Sequence, residues 1–236
     1  VLNQLKVSLE NSVPQSGHTY AARAAAATLS QVGQQREEWS GLTQVALIRQ
    51  LAAKPAEELT ELAAVLTATA QQLFSQKSLQ VAITVEKENF SPFKSALGEL
   101  LEVVPQGESA TVASVDEFVP QPLQQGVVWS IPVNYVTRVF HAVPYTHPDS
   151  AALMVLAKLL RAEFLHREIR EKGGAYGGLA GYNAEAGQFS LLSYRDPHIL
   201  RTLQVYDQAI DWAVAADFPA DSLKAVSYTH LTLPTI

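Results

Sequence analysis

The chain contains no cysteine. That removes disulfides, thiolate-bound zinc and thiol nucleophiles, while leaving the compartment open. It lacks an apolar run of the ~18 residues that a membrane-spanning helix requires, so no membrane partner is expected. Basic residues are few: 17 Lys and Arg against 23 Asp and Glu, a formal net charge of −6 with no basic cluster. A nucleic-acid footprint is therefore not expected either. No G-x-S-x-G elbow and no Walker loop occur. Position 1 is Val rather than Met and no signal peptide is recognisable, so the N-terminus reads as continuing from a longer chain. What remains is globular in composition, 47% hydrophobic and 17% charged over 236 residues. That is enough for one large domain or two small ones.

Leu2, Leu5 and Leu9 keep helical spacing before Pro14. The stretch Ser16-Gly17-His18-Thr19-Tyr20 opens an alanine-rich helix expected to end at Gly33. Further helices are expected from Trp39-Ser40-Gly41 through Leu51, and from Ala56 to Phe74, with Pro55 as the break between them. Leu79, Val81, Ile83 and Val85 then alternate with smaller or polar residues, which predicts a half-buried strand. Ser91-Pro92 supplies a helix start, with the helix running to Pro105. Val127, Trp129 and Ile131 predict another strand, with 138–145 as its partner. Thr146-His147-Pro148-Asp149 starts a long helix with Leu153, Leu156, Leu160 and Phe164 as its apolar stripe. A strand pair over 175–195 turns at 182–187. Asp196-Pro197 caps a last helix whose inner face is expected to be Leu200, Leu203, Tyr206 and Ile210. The pattern predicts an α+β fold. It is a two-layer sandwich of mostly antiparallel sheets with helices packed on one face, present as parts of two similar domains. Residues 106–124, with Gly107, Pro120 and Pro122 and little periodicity, read as a linker.

The most informative stretch is Ile169-Arg170-Glu171-Lys172-Gly173-Gly174-Ala175-Tyr176-Gly177-Gly178. Two glycines stand where a helix should stop, since glycine takes a left-handed cap without steric cost. Arg170 then lies in the last helical turn and Tyr176 at the start of a strand. Such a corner can bring a guanidinium and a phenol to one spot, where both can donate hydrogen bonds to a carbonyl or developing oxyanion. A second reading stands beside it: a basic residue favoured by the helix dipole, next to a half-buried tyrosine. The double glycine follows a helix and precedes a strand, the reverse of a phosphate-binding loop. The six histidines are scattered without a ligand pattern; His166-Arg167-Glu168 carries only a fragment of one, so no metal site is expected in this chain.

Arg170-Glu171-Lys172-Gly173-Gly174-Ala175-Tyr176-Gly177 closely resembles the arginine–tyrosine signature in the C-terminal half of the insulinase (pitrilysin) zinc metallopeptidases, in their presequence-protease branch. Ser16-Gly17-His18-Thr19-Tyr20-Ala21, Pro132-Val133-Asn134-Tyr135-Val136 and Ser193-Tyr194-Arg195-Asp196-Pro197 agree with that branch in the same order. The resemblance implies four similar α+β domains in two bowl-shaped halves closing over an unfolded peptide. It implies zinc in the N-terminal half, on an H-x-x-E-H helix with a distal Glu, whose ligands are not in this chain. Residues 1–105 would then end the third insulinase-type domain and 125–225 would form most of the fourth. Arg170 and Tyr176 match the catalytic arginine and tyrosine, and with Gly173 and Gly174 they would bind the substrate backbone. The implied partners are the N-terminal catalytic half of the same polypeptide and a peptide substrate. A segment lacking the zinc half would not hydrolyse peptides alone. A non-catalytic structural or partner subunit of the same family is the alternative. Residues 226–236 interrupt a helix just begun and resemble the translation of a sequencing adapter, so they are set aside.

Overall fold

The computed structural model describes residues 1–107, 118–121, 124–215, 217–218 and 223. The supposed adapter residues 226–236 and most of the expected linker lie outside the described residues. The chain groups into two compact units, Val1–Ala52 with Phe118–Ile236, and Ala53–Glu117. These units cut across the expected 1–105 and 125–225 halves, because the N-terminal helices pack on the C-terminal sheet.

In the first unit, α1 (Leu2–Ala27), α2 (Gln31–Ser40) and α3 (Leu42–Ala52) precede a three-stranded antiparallel sheet. Its strands β1 (Thr137–His141), β2 (Gly177–Asn183) and β3 (Gln188–Tyr194) lie in the order β1-β3-β2. The register pairs Phe140 with Phe189, and Ala180 and Arg138 with Leu191. Alternation along a strand sends successive side chains to opposite faces. Phe189, Leu191 and Ser193 therefore share one face, and Phe189 and Leu191 join Leu160, Phe164, Leu165, Ile169, Val205 and Tyr206 in the main core. Tyr206 is fully buried and its hydroxyl donates to Val136 O at 2.8 Å. That bond contributes about 1 kcal/mol, and burial drives the phenol's pKa far upward.

The residues of β3 between those, Gln188 and Tyr194 among them, point to the other face. There Gln188 Nε2 reaches Ser30 Oγ at 3.4 Å and Tyr194 Oη reaches Gln15 O at 3.4 Å. So α1 lies against the face opposite the core helices, and both faces of this sheet are covered. The α+β class is what the chain forms, with one sheet among the described residues and a helix layer more than expected.

The long helix begins as α6 (Ser150–Leu159), after Asp149, and continues without a break as a π-helical segment, Leu160–Glu171. The last helix, α7 (Leu200–Ala215), is held at its start by Asp196. This carboxylate is 1% exposed and accepts from His198 N at 2.8 Å and Thr202 Oγ1 at 2.6 Å. The buried face of α7 is Thr202, Val205, Tyr206 and Ala209. Leu200 and Ile210, expected inside, are exposed. They lie outside the stripe that α7 turns to the core.

Two expected strands are absent among the described residues. Residues 127–131 form no ladder; Trp129 instead packs by α3, with the Arg49 guanidinium 4.7 Å from its ring centroid. In the second unit, α4 (Thr60–Leu73) and α5 (Phe90–Val103) flank 79–86, which is extended but unpaired among the described residues. Leu79, Val81 and Val85 are correspondingly exposed. Alternation fits a strand to a sheet, but a strand needs a partner to form a ladder. Gly33 does not end a helix either. The alanine-rich helix stops at Ala27, and Ser30 caps α2 by accepting from Gly33 N at 3.1 Å.

Candidate functional site

The π segment ends in an unusually wide cap. Lys172 N donates to Arg167 O at 3.0 Å, Gly174 N to Arg170 O at 3.0 Å and Ala175 N to Ile169 O at 3.1 Å. Gly174 takes φ +76°, the left-handed position where a Cβ is penalised. Gly178, at the start of β2, lies so close to the helix that a Cβ would meet Leu165 O at 2.7 Å. Glycines thus make the corner tight, and Arg170 and Tyr176 emerge from it together, both exposed. The Arg170 guanidinium carbon stands 5.8 Å from the Tyr176 ring centroid, within cation–π range. Nη1 lies 3.5 Å from His166 Nε2. The neighbouring charges are engaged elsewhere. Glu168 takes Arg167 and Lys172, each at 2.8 Å, and Lys172 foremost holds its carboxyl below the usual range. His166 Nδ1 meets Glu171 at 3.3 Å. Among the described residues Arg170 has no carboxylate partner and the Tyr176 hydroxyl has no hydrogen bond.

Behind Tyr176 stands a cluster of rings that no local signal announces. Tyr176 meets Tyr194 edge-on at 5.6 Å between centroids; Tyr194 meets His18 edge-on at 4.9 Å; Tyr135 lies 5.7 Å from Tyr194. His18 and Tyr135 come from α1 and from the run before β1, brought here by a kink. Pro14 stands inside α1, and Ser16 leaves helical geometry at φ −124°, ψ 28°. A proline removes one hydrogen bond and crowds the preceding turn. Two carbonyls at the kink are met by tyrosines from the far side of the sequence: Tyr135 Oη donates to Pro14 O, and Tyr194 Oη reaches Gln15 O. Gly17 follows, against the Tyr135 ring. The His18 ring is partly buried, its Nδ1 has no hydrogen-bond partner, and burial lowers its pKa.

The strand end is shaped by a further irregularity. Tyr176 N is shared between Tyr194 O at 3.0 Å and Arg195 O at 3.3 Å, and Asp196 and Asn134 then bond each other's backbones at 2.9 and 2.8 Å. All four motifs that carry the family resemblance thus meet at one end of the sheet. Tyr194 and Arg195 enter the sequence reading as motif letters alone, without a role. Their signal is the Tyr-Arg-Asp-Pro run closing an alternating strand.

Comparison with known proteins agrees with this convergence. The family model described as "PreP C-terminal domain" matches residues 126–226, and a second family model, of a peptidase-associated domain, matches residues 1–51. The mitochondrial presequence protease of Yarrowia lipolytica is 34% identical over 220 residues, covering 92% of this chain and 22% of that protein. That of Mus musculus is 33% identical over 246 residues, covering 89% and 23%. That of Aspergillus oryzae is 38% identical over 206 residues, covering 84% and 20%.

The chain belongs to the presequence-protease family. It spans about a fifth of the length of these curated relatives and corresponds to the C-terminal part of the family's architecture. Membership makes it a metallopeptidase-family chain. Among the described residues no group of three or more His, Asp or Glu side chains could hold a metal ion. The described residues therefore offer no zinc ligand set. No helix among them is long and apolar enough to cross a membrane.

Proposed function

We propose that this chain supplies the substrate-binding and transition-state-stabilising wall of a zinc metalloendopeptidase that degrades short unfolded peptides in a closed chamber. The zinc and its ligands would belong to the N-terminal half of the same polypeptide. Residues 1–105 and 125–225 would be parts of its third and fourth domains. The observation that carries the reading is the paired exposure of Arg170 and Tyr176. A guanidinium stacked on a phenol presents donors outward, with only the His166 ring nitrogen near Arg170 and no carboxylate to satisfy them among the described residues. An extended peptide brings carbonyl oxygens, and the tetrahedral intermediate of its cleavage brings an oxyanion. Both accept such donors, and the oxyanion accepts them more strongly. Gly173 and Gly174 let the peptide backbone approach the corner without side chains in the way. Donors aimed at backbone atoms select little among side chains, which suits varied peptides. The mitochondrial compartment in the relatives' names fits an organellar peptidase, and we extend it to this chain as part of the same proposal.

The test is Tyr176→Phe in the full-length polypeptide, assayed on a fluorogenic unfolded peptide. The expected loss in kcat is about ten- to a thousand-fold, as for one oxyanion donor. Unchanged turnover would remove Tyr176 from the chemistry.

A further inference from the structure

Among the described residues one non-glycine position has positive φ: Arg195, at 49°. It lies just past β3, where Tyr194 and Arg195 together face the single N–H of Tyr176. Two residues opposite one make a β-bulge, and glycine is the usual occupant of a left-handed bulge position. Bulges commonly re-aim a side chain beside a functional site. Here an arginine occupies the strained position, and its side chain does nothing evident for the fold. It is exposed, with the guanidinium carbon 5.5 Å from the Tyr194 ring centroid and no carboxylate partner among the described residues. On the other side Arg170 stacks on Tyr176, and the two tyrosines meet edge-on. The corner therefore presents Arg170, Tyr176, Tyr194 and Arg195 in sequence, with neither cation paired to a carboxylate among the described residues of a chain of net charge −6.

We propose that Arg195 is a second substrate-binding residue of this corner, one that takes a carboxylate of the bound peptide and so determines specificity. This rests on the reading of Arg170 and Tyr176 as the peptide-binding wall. A guanidinium is a planar fork that matches a carboxylate through two parallel hydrogen bonds, and stacking on a ring orients its plane without consuming its donors. The carboxylate could be the peptide's C-terminus or an acidic side chain.

The experiment uses the full-length polypeptide and four peptides of one sequence. One pair has a free or an amidated C-terminus; the other has Glu or Gln at an internal position. Arg195→Gly removes the cation and at the same time relaxes the bulge. Its kcat/KM should fall about tenfold or more on the carboxylate-bearing member of a pair, the scale for a charged hydrogen bond. The fall should come through KM, with the neutral member little changed and Tm equal or higher. Arg195→Lys should recover part of the loss. A loss confined to the first pair names the C-terminal carboxylate; one confined to the second names the side chain. An equal effect on every peptide, or no effect while Tyr176→Phe is impaired, overturns the role of Arg195 alone. No effect of either Arg195→Gly or Tyr176→Phe overturns the reading of the whole corner.

Discussion

A Cβ placed on Gly17 would stand 2.1 Å from Cδ2 of Tyr135. The kink of α1 at Ser16 is thus pressed directly on a ring from the far side of the sequence, and that ring's hydroxyl bonds the carbonyl of Pro14. Gly17→Ala should cost about 1–3 kcal/mol, as overpacking in a tight site does. Tyr135→Phe keeps the ring and loses one hydrogen bond, so about 1 kcal/mol is expected. Urea unfolding of the three proteins checks the order. A Gly17→Ala chain as stable as the parent would mean that α1 is not docked this way.

The start of α7 depends on one carboxylate. Asp196 is buried and satisfies both the His198 amide and the Thr202 hydroxyl. Asp196→Ala leaves two donors without a partner and removes a helix cap, each loss about 1–2 kcal/mol. Because the backbone of Asp196 also ties the bulge to Asn134, the variant should loosen the corner as well as α7. Hydrogen exchange at Tyr176 N–H and through residues 200–206 should rise together. A rise confined to the helix would separate the two.

The corner and the hairpin are legible in the sequence because their signals are local: glycines at a helix end, alternation on both sides of a turn. What the residues alone do not give is pairing. Leu79 to Val85 and Val127 to Ile131 alternate as strands do, yet neither meets a partner strand among the described residues. Alternation reports a face that could be buried, not whether anything buries it. The ring cluster is hidden for the opposite reason. His18, Tyr135, Tyr176 and Tyr194 are distant in sequence, and only the kink at Ser16 and the pairing of β2 with β3 assemble them. Gly33 misleads because glycine has two uses. Here a Cβ would strike Ala26 O at 2.3 Å, so the residue permits a close turn instead of ending a helix.

Gly178 packs its backbone tightly against the π segment, and Arg170 rides on that segment. Gly178→Ala would drive a methyl against Leu165 O and the Ile169 side chain. A cost of about 1–3 kcal/mol is expected from strain. The helix end that carries Arg170 should move away from Tyr176 to relieve it. In the full-length polypeptide this variant should therefore lose kcat/KM at temperatures where it is still folded by circular dichroism. Loss of activity only in step with unfolding would show that the corner tolerates the shift.

His18 gives the fold a pH dependence whose sign can be stated. Burial lowers its folded pKa below the unfolded value of 6.5. Above that value the ring is neutral in both states and contributes nothing to the pH slope. As pH falls through it, the unfolded chain takes a proton that the folded chain does not, so stability is lost until the folded pKa is passed. Glu37 works oppositely. Its burial raises the carboxyl pKa even though Leu42 N and Thr43 N donate to it, so its contribution is present at low pH and lost as pH rises. The two windows run toward each other, up from the carboxylate's 4.5 and down from the imidazole's 6.5, so a substitution is needed to isolate the histidine. His18→Asn keeps a polar group of similar reach and removes the titration. Between about pH 7.5 and about pH 5.5 the parent should lose more stability than the variant. Urea midpoints at the two pH values supply the comparison. Parallel losses would place His18 in solvent in the folded state, and with it would go the packing of its ring on Tyr194.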